Sequence, residues 1–492
     1  MEDWIARHKA EMIEDIKSLV EIPSVAKSQE KTSSAEDFPF GRECKRAGER
    51  MRQMAEKYGF WTEDCGGRCV RIQYEKAEGL SPDRIEIWNH LDVVPEGEGW
   101  VYPPYKCTLK GDFLIGRGVS DNKGPAVAVL YALRYLKERG IRLHYQLSQV
   151  CGLSEETGME DAAWYVKQYG SPKLAVISDC RFPLCYGEKG RCRMKFLYEG
   201  ELPHIEALGA GLVSNSVADT ARLVLRGQQE SFPAKGLGEK TAWGELSGNM
   251  TVKYRDGKLH LTAKGIGGHA AAPEKCVNPI GILSDFVERE ESLLLTKEER
   301  SFFGFLKKSC SDGYGQGLDI AVEDKVFGKM SCAGTLLCFD GKRASLEFDL
   351  RFPPKTDING MIEKMERQAK PFGWRLSESN VKKGYVHDPD TQEMKILLNA
   401  YRQVYGEAGQ PYVMGGNTYA GFFENAVGFG PGIPRTPLFD FRHEKALEAL
   451  KLPKGHGGGH ACDEVQSLQG LCDAVRVYVT ALLALEQKTG EE

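Results

Sequence analysis

Residues 84–179 alternate segments of strand character with segments of helix character, and this alternation constrains the fold more than any other feature. The strand segments are RIEIWNHLDVV, LHYQLSQVCGL and LAVISD, and the helix segments between them are GPAVAVLYALRYLKERG and EDAAWYVKQYG. Strands that alternate with helices in this way are typical of parallel sheets. We therefore predict an α/β domain with a mostly parallel, helix-covered sheet.

The sequence changes character near residue 190. Segments such as RCRMKFLYEG, MTVKYRDGKLHLTAKG and ASLEFDLRFP alternate apolar and polar residues, which predicts antiparallel strands. Helices are predicted over NPIGILSDFVEREESLL and DINGMIEKMERQAKPFG. The long predicted helix DTQEMKILLNAYRQVYGEAG then returns to the character of the first part of the chain. We predict a discontinuous first domain at 1–190 and 387–492 and an inserted α+β lid domain with antiparallel sheets at 191–386.

Composition and charge exclude several classes of protein. A net charge of −5 does not suit a nucleic-acid-binding surface, which needs a basic excess. The segment MEDWIARHKAEMIEDIKSLVEIPSV has helical apolar spacing and lacks the features of a signal peptide. No apolar run of about 18 residues stands out as a membrane span. The sequence thus predicts a cytoplasmic protein that binds neither nucleic acid nor membrane.

A histidine and several acids fall at the ends of the predicted strands, where open α/β sheets bind their ligands. They are His90, Asp92, Glu155, Glu156 and Asp179. Taken singly, each has an ordinary structural interpretation, as a satisfied core histidine or as an acid that caps a turn. Together they offer what a hydrolytic metal site needs, namely imidazole and carboxylate ligands and a further carboxylate that accepts a proton.

Two pairs of near neighbours can divide the roles in such a site. Glu155 and Glu156 are consecutive, so on an irregular turn one can bind metal while the other faces the substrate. Asp92 lies two residues from His90 on the same face of the strand, where a carboxylate can accept the ring N–H and fix the tautomer. We therefore expect His90 to contact metal and the Asp92 carboxylate to contact only His90.

Five motifs in chain order, NHLDVVP, GRGVSDNKGP, LSEETG, ISD and HACDE, resemble those of the M20-type metallopeptidase family, of the aminoacylase and carboxypeptidase G2 type. The resemblance spans nearly the whole chain and is greatest to the PepV-like bacterial dipeptidases. It implies two Zn²⁺ ions per chain, with Mn²⁺ or Co²⁺ as alternatives, Glu155 as general base, and a non-proline cis peptide bond after the bridging aspartate. The implied ligands are His90 and Asp179 for one ion, Glu156 and His460 for the other, and Asp121 as the bridge.

The same resemblance implies roles in substrate binding. His269 of GGHAAAP would polarise the substrate carbonyl or stabilise its oxyanion, and Asn215 of LVSNSVAD would contact the oxyanion. Arg351 of LEFDLRFP would bind the substrate carboxylate, because a guanidinium can do so with two hydrogen bonds. Gly416 and Asn417 of GGNTYAGFF would line the site from the first domain, although Asn417 departs from the family's usual GGTYA.

The resemblance implies a zinc dipeptidase that hydrolyses dipeptides with a metal-activated water. The alternative function is an N-acetyl- or N-succinyl-amino-acid deacylase of the same fold. The bridging motif favours the peptidase, since it reads DNKGP here and usually DMKGG in the deacylases. A third possibility, a binding protein without activity, leaves the joint presence of every ligand and the base unexplained. Because the long inserted domain supplies its own His269, a monomer could suffice, with a homodimer as the alternative.

Overall fold

The computed structural model describes residues 1–27, 38–76, 80, 82–228, 249–406, 409–432 and 447–489. The chain divides into two compact units. The first unit contains Met1–Gly187, Val386–Tyr412 and Thr418–Glu492, and the second contains Glu188–Tyr385 and Val413–Asn417.

The described helices lie in both units and are joined by strands and turns. The helices are Glu2–Val20 (α1), Arg42–Lys57 (α2), Lys123–Glu138 (α3), Glu160–Tyr169 (α4), Pro279–Arg289 (α5), Lys297–Cys310 (α6), Ile358–Ala369 (α7), Gln392–Tyr405 (α8) and Leu468–Thr489 (α9), with 3-10 turns at Pro273–Lys275, Lys370–Phe372 and Tyr419–Phe422. The strands are Trp61–Cys65 (β1), Cys69–Gln73 (β2), Arg84–His90 (β3), Thr108–Lys110 (β4), Phe113–Ile115 (β5), Gln146–Gly152 (β6), Leu174–Ile177 (β7), Cys185–Glu188 (β8), Gly190–Tyr198 (β9), Ile205–Ala210 (β10), Ser216–Val217 (β11), Thr220–Arg226 (β12), Met250–Arg255 (β13), Lys258–Lys264 (β14), Gly268–His269 (β15), Glu323–Asp324 (β16), Gly328–Lys329 (β17), Ser331–Phe339 (β18), Ala344–Phe352 (β19), Trp374–Lys382 (β20), Tyr385–Val386 (β21), Tyr412–Met414 (β22), Ala426–Gly428 (β23) and Val465–Ser467 (β24).

The first unit is built around a sheet with a parallel centre. Seven of its nine described strands lie in the order β1-β2-β6-β3-β7-β23-β8, and β6, β3, β7 and β23 run parallel to one another. His90 lies opposite Gly152, and Trp88 lies opposite Ile177, so β3, β6 and β7 end at the same edge. The predicted mostly parallel, helix-covered sheet is confirmed, with the β1–β2 hairpin as an antiparallel addition.

Helices pack on this sheet because their apolar residues recur at helical spacing. The amphipathic helix predicted at the start of the chain is α1, which buries Ile16, Leu19 and Val20. The central helix α3 buries every residue from Lys123 to Leu133. The buried Lys123 ammonium donates to the carbonyls of Leu19 and Ile22 at 3.0 and 2.7 Å, so it ties the start of α3 to the end of α1.

The last helix is long and apolar enough to cross a membrane by length and composition, which differs from the expectation that no apolar run approaches this length. Leu468–Gln487 has a mean hydropathy of 1.4, yet 61% of its most apolar window is buried inside the protein. There α9 contacts α3 and α8. A core helix needs this composition, so the segment is only weak support for a membrane span.

A small antiparallel sheet brings distant parts of the first unit together. Its strand order is β24-β5-β4, and Val465 of β24 pairs with Ile115 of β5. The Gly116 N–H donates to the Glu464 carbonyl at 3.0 Å. The segment that precedes β24 and the segment that follows β5 therefore lie side by side.

The second unit consists of an antiparallel sheet and helices that share its core. The eight described strands have the order β13-β14-β12-β10-β18-β19-β9-β20. Residues from α6 and α7, among them Phe302, Phe305 and Met365, belong to the same apolar cluster as strand residues such as Phe348. The predicted α+β domain with antiparallel strands is confirmed.

The division into units differs from the predicted one at Val413–Asn417, which belongs to the second unit and not to the first. Hydrogen bonds from side chains to backbone carbonyls agree with this assignment. Arg351 Nη1 donates to the Gly415 carbonyl at 3.0 Å, and Asn417 Nδ2 donates to the Lys189 carbonyl at 2.8 Å. The other boundaries fall at 187/188 and 385/386, against 190/191 and 386/387 in the prediction. That the inserted unit acts as a lid stays a prediction.

Helix α6 begins with a capping box, and its contribution to the stability of the second unit can be measured. Thr296 Oγ1 accepts the Glu299 N–H at 3.1 Å, and the Glu299 carboxylate accepts the Thr296 N–H at 2.9 Å. We expect Thr296→Ala to lower the free energy of unfolding of this unit by about 1 kcal/mol, because a helix N–H loses its acceptor. Urea denaturation measures the change. Thr251→Ala, at an exposed position of β13, is the control, and an equal effect of both variants would contradict the cap.

Candidate metal centre

The edge at which β3, β6 and β7 end collects most of the predicted site residues. His90 is the last residue of β3, and Asp179 lies two residues beyond β7. The turn after β6 supplies a pair of glutamates, the segment before α3 supplies an aspartate, and the segment before β24 supplies a second histidine. The structure thus brings together all the predicted ligands and the predicted base: His90, Asp121, Glu155, Glu156, Asp179 and His460.

The Asp121 carboxylate lies between two imidazoles. Its Oδ1 is 2.8 Å from His90 Nε2, and its Oδ2 is 3.2 Å from His460 Nε2. His460 Nε2 is also 2.8 Å from Glu156 Oε1, and His90 Nε2 is 3.7 Å from Asp179 Oδ2. Since the two oxygens of Asp121 face different histidines, this carboxylate can give one oxygen to each of two cations. The peptide bond that follows Asp121 is cis, as the resemblance implies.

Two sets of donor atoms are close enough to hold a cation. Atoms of His90, Asp121 and Glu156 lie within 4.8 Å of one another, and so do atoms of His90, Glu155 and Asp179. Imidazole nitrogen with carboxylate oxygen is a donor set that suits Zn²⁺, Mn²⁺ and Co²⁺. The residues therefore fit the divalent ions that the resemblance implies. Glu155 lies near enough to be a ligand itself, so its role as base needs a direct test.

The electrostatics of the centre also favour a cation. Burial, followed by the negative charge of Asp121, raises the pKa of Glu156 to about 7. Burial and then the charge of Asp179 raise the pKa of Glu155 well above its usual range. Burial opposes a charge on Asp121 too, but its hydrogen bonds with His460 and His90 outweigh burial and lower its pKa. Several carboxylates in one buried site repel one another, and a bound cation relieves that repulsion.

The tautomer of His90 follows from its neighbours. His90 Nδ1 is 2.9 Å from the backbone carbonyl of Asp92, and a carbonyl can only accept a hydrogen bond. Nδ1 therefore carries a proton, and Nε2 is the nitrogen that faces Asp121. A ring held in this way presents the correct lone pair to a metal.

The prediction that the Asp92 carboxylate contacts only His90 is wrong. Its Oδ1 accepts the Glu155 N–H, and its Oδ2 accepts the Glu156 N–H, both at 3.0 Å, whereas Oδ1 is 3.4 Å from His90 Nδ1. The carboxylate lies closer to these two consecutive amides, and the carbonyl of Asp92 takes the nearer contact with the imidazole. Asp92 thus positions His90 and the glutamate turn together.

Glu464 is a site residue that the sequence interpretation missed. Its side chain is fully buried, and Oε1 accepts the N–H groups of Ser120 and Asp121, both at 2.9 Å. Its Oε2 accepts from the Gly118 N–H at 3.0 Å and from Arg117 Nη1 at 2.9 Å. Glu464 therefore holds the segment that carries Asp121. Its place in the motif HACDE was the available signal, but only the histidine of that motif received a role.

The predicted substrate-binding residues of the second unit form two neighbouring groups. His269 and Asn215 belong to one group, and Arg351, Gly416 and Asn417 belong to the other. His269 is exposed on β15, which pairs with β11, and the Asn215 carbonyl accepts the Ala270 N–H at 2.9 Å. Arg351 is buried, and its Nε donates to Asp349 Oδ1 at 2.6 Å. A Cβ built on Gly415, which is bonded to Gly416, would lie 3.6 Å from the Ala271 Cβ. The two groups are thus adjacent, and the predicted roles of these residues stay predictions.

The motifs and this geometry agree with comparison to known proteins. Residues 87–451 match the model of Peptidase family M20/M25/M40. The chain belongs to this family. It is therefore a metallopeptidase, and the resemblance seen in the five motifs is confirmed.

Relatives of this M20/M25/M40 peptidase match it over nearly their full length. The chain is 25% identical over 477 residues to the Beta-Ala-Xaa dipeptidase of Lactobacillus delbrueckii subsp. lactis. The aligned residues cover 96% of this chain and 95% of that protein. Human carnosine dipeptidase 1 has a TM-score of 0.58 at 15% identity, with 99% of this chain and 98% of that chain covered. The di-peptidase Dug1p from Saccharomyces cerevisiae has a TM-score of 0.57 at 14% identity, with 98% and 97% covered. The two structures show that the fold is shared.

Metal binding by this peptidase should release protons. Hydrogen bonds with Asp121 and Glu156 raise the pKa of His460 to about 11, so we expect the metal-free imidazole to carry a proton at neutral pH. A cation must displace that proton, and we expect its affinity to rise with pH by about tenfold per unit for each proton displaced. Calorimetric titration of metal-free protein with Zn²⁺, in buffers of different ionisation enthalpy, counts the protons.

The matched variants for this titration are His460→Ala and His144→Ala. His460→Ala should release fewer protons than the unmodified chain and bind metal more weakly. His144 has 76% of its side chain exposed and lies outside the centre, so His144→Ala should behave as the unmodified chain does. Equal proton release by all three proteins would contradict a role for His460 in metal binding.

Proposed function

We propose that this M20/M25/M40 peptidase is a dipeptidase that holds two Zn²⁺ ions and uses Glu155 as its general base. The observation that carries the proposal is the Asp121 carboxylate between His90 and His460, with Glu155 and Glu156 on one turn beside it. The Beta-Ala-Xaa dipeptidase, to which the chain is 25% identical over 477 residues, supports dipeptides as the substrate class. We also propose that the protein is a monomer and that it acts in the cytoplasm.

In the proposed arrangement, the ligands divide into two pairs around the shared aspartate. His90 and Asp179 would hold one ion, Glu156 and His460 would hold the other, and Asp121 would give an oxygen to each. Divalent cations bound there supply Lewis-acid chemistry, because they polarise a carbonyl oxygen and make water more acidic. Asp92 keeps the His90 ring in the orientation that this role requires, and Glu464 fixes the backbone of Asp121.

Glu155 has the properties of a proton carrier. The residue is 9% exposed, and no described residue donates a hydrogen bond to its side chain. Burial and the charge of Asp179 raise its pKa, and a raised pKa brings a carboxyl group toward the range in which it both accepts and returns protons at neutral pH. In the proposed reaction it takes a proton from water and passes that proton to the leaving amine of the dipeptide.

The second unit would supply the contacts to the substrate. His269 and Asn215 would stabilise the carbonyl oxygen as negative charge develops on it, and Arg351 would bind the carboxylate of the dipeptide. The Arg351 guanidinium is fixed by Asp349 and by the Gly415 carbonyl, so little side-chain entropy is lost when it binds. Gly416 and Asn417 would lie along the same part of the substrate.

Glu155→Gln separates the role of base from that of ligand. We expect the variant to lose activity by about 10²- to 10⁴-fold, because the amide cannot accept the proton, and to keep the metal content of the unmodified protein. Kinetics with a dipeptide and elemental analysis of the purified protein measure the two quantities. Glu160→Gln, an exposed acid on the first turn of α4, is the matched control and should retain activity. Loss of metal from Glu155→Gln would show that Glu155 is a ligand.

A substrate panel tests the reaction itself. The zinc-loaded protein should hydrolyse dipeptides faster than N-acetyl or N-succinyl amino acids, and a chelator should remove the activity until Zn²⁺ is restored. Higher kcat/KM for the acylated amino acids would favour the deacylase, the alternative of the same fold. Full activity in metal-free protein would exclude the metal mechanism.

A further inference from the structure

The turn that carries Glu155 and Glu156 is held through its backbone by two buried carboxylates. The N–H groups of Leu153 and Ser154 donate to Asp161 Oδ2 at 2.7 and 2.9 Å. The next two N–H groups, those of Glu155 and Glu156, donate to Asp92. Four consecutive amides are therefore fixed, and with them the directions in which the Cα–Cβ bonds of the two glutamates leave the backbone.

Asp161 is ionised only if hydrogen bonds stabilise its charge. It lies in the first turn of α4 and is 0% exposed, and none of the described Lys or Arg side chains forms an ion pair with it. Burial and the charge of Asp92 raise its pKa to about 6. A buried carboxylate in this position depends on its donors, since an unpaired charge is costly away from water.

Tyr419 supplies the one side-chain donor to Asp161 among the described residues. Its hydroxyl group donates to Asp161 Oδ2 at 2.6 Å, and the tyrosine is 0% exposed. Its ring centroid lies 5.2 Å from that of Trp88, at an angle of 66°, and Trp88 precedes His90 by two residues on β3. The phenol is thus fixed between the strand that carries His90 and the turn that carries the glutamates.

Gly152, at the end of β6, leaves room for this contact. A Cβ at this position would lie 2.0 Å from Tyr419 Oη and 2.4 Å from Asp161 Oδ2. Neither atom can move away without breaking the hydrogen bond between them. The close approach of tyrosine and aspartate to the end of the strand therefore requires glycine at position 152.

We propose that Tyr419 and Asp161 are positioning residues for the reaction, and that they orient Glu155 and Glu156 through the backbone of residues 153–154. This inference rests on the proposed function, in which Glu155 is the base and Glu156 a metal ligand. Tyr419 is not a catalytic residue, because its hydroxyl group is buried against Asp161. Without that hydroxyl group the Asp161 carboxylate loses a short, charge-assisted hydrogen bond, and the turn loses its fixed direction.

Tyr419→Phe tests the proposal, since it removes one oxygen atom and keeps the ring. We expect kcat for a dipeptide to fall on the order of tenfold, with KM changed by less than about twofold because the substrate contacts remain. The absorption bands of the Co²⁺-loaded protein should also shift, since they report the geometry of the ligands around the ion. Asp161→Asn should shift these bands in the same direction and lower kcat further.

Tyr145→Phe is the matched control. Tyr145 is 1% exposed, and its hydroxyl group donates to the Leu482 carbonyl at 3.0 Å, so the variant also loses a buried hydrogen bond but leaves the glutamate turn alone. It should keep the kcat and the Co²⁺ spectrum of the unmodified protein. The Tm of both variants separates positioning from stability.

Two results would overturn the proposal. One is a Co²⁺ spectrum and a kcat in Tyr419→Phe that match those of Tyr145→Phe. The other is a fall in kcat that only follows a lower folded fraction, with an unchanged spectrum. If the unmodified protein hydrolyses no dipeptide, the proposed function fails, while the Co²⁺ spectra of the same variants still decide whether Tyr419 and Asp161 position the turn.

Discussion

The contact of one carboxylate with two imidazoles is the interaction on which the centre depends. Asp121 Oδ1 faces His90, the last residue of the central strand β3, and Oδ2 faces His460, from the segment before β24. The pairing of β24 with β5 brings the second histidine to this place, and Glu464 fixes the Asp121 backbone from the same segment. The packing of the C-terminal part of the chain is therefore a requirement for the site and not only for stability.

This packing brings several acidic side chains close together in a buried site. Burial and mutual repulsion raise the pKa values of Glu155, Glu156 and Asp179. The backbone N–H groups nearby donate to three other acids, Asp161, Asp92 and Glu464. The oxygens of these three acids accept hydrogen bonds from the backbone, whereas oxygens of Asp121, Glu156 and Asp179 lie near the imidazoles of His90 and His460. Hydrogen bonding thus separates the acids that hold the loops from the acids that can hold metal.

The sequence predicts much of the fold, because apolar periodicity marks strands and helices and because parallel strands end together. This reasoning places His90, Glu155, Glu156 and Asp179 at one edge of the sheet before any coordinates are known. It does not show the direction of a single carboxylate. The Asp92 side chain accepts from two backbone amides, and backbone donors have no residue type that a sequence can display. The same is true of Val413–Asn417, which hydrogen bonds assign to the second unit, and of Asp161, which no motif distinguishes from an ordinary first-turn acid.

Gly152 limits the substitutions that this chain can accept during evolution. The position has no functional group, yet a single methyl group there would overlap the Tyr419 hydroxyl oxygen and the Asp161 carboxylate. A larger residue could be accepted only if both partners changed in the same lineage, through intermediates that lack the contact. Positions 152, 161 and 419 are therefore expected to change together, so a residue without a side chain restricts which sequences this fold can accept at two other positions.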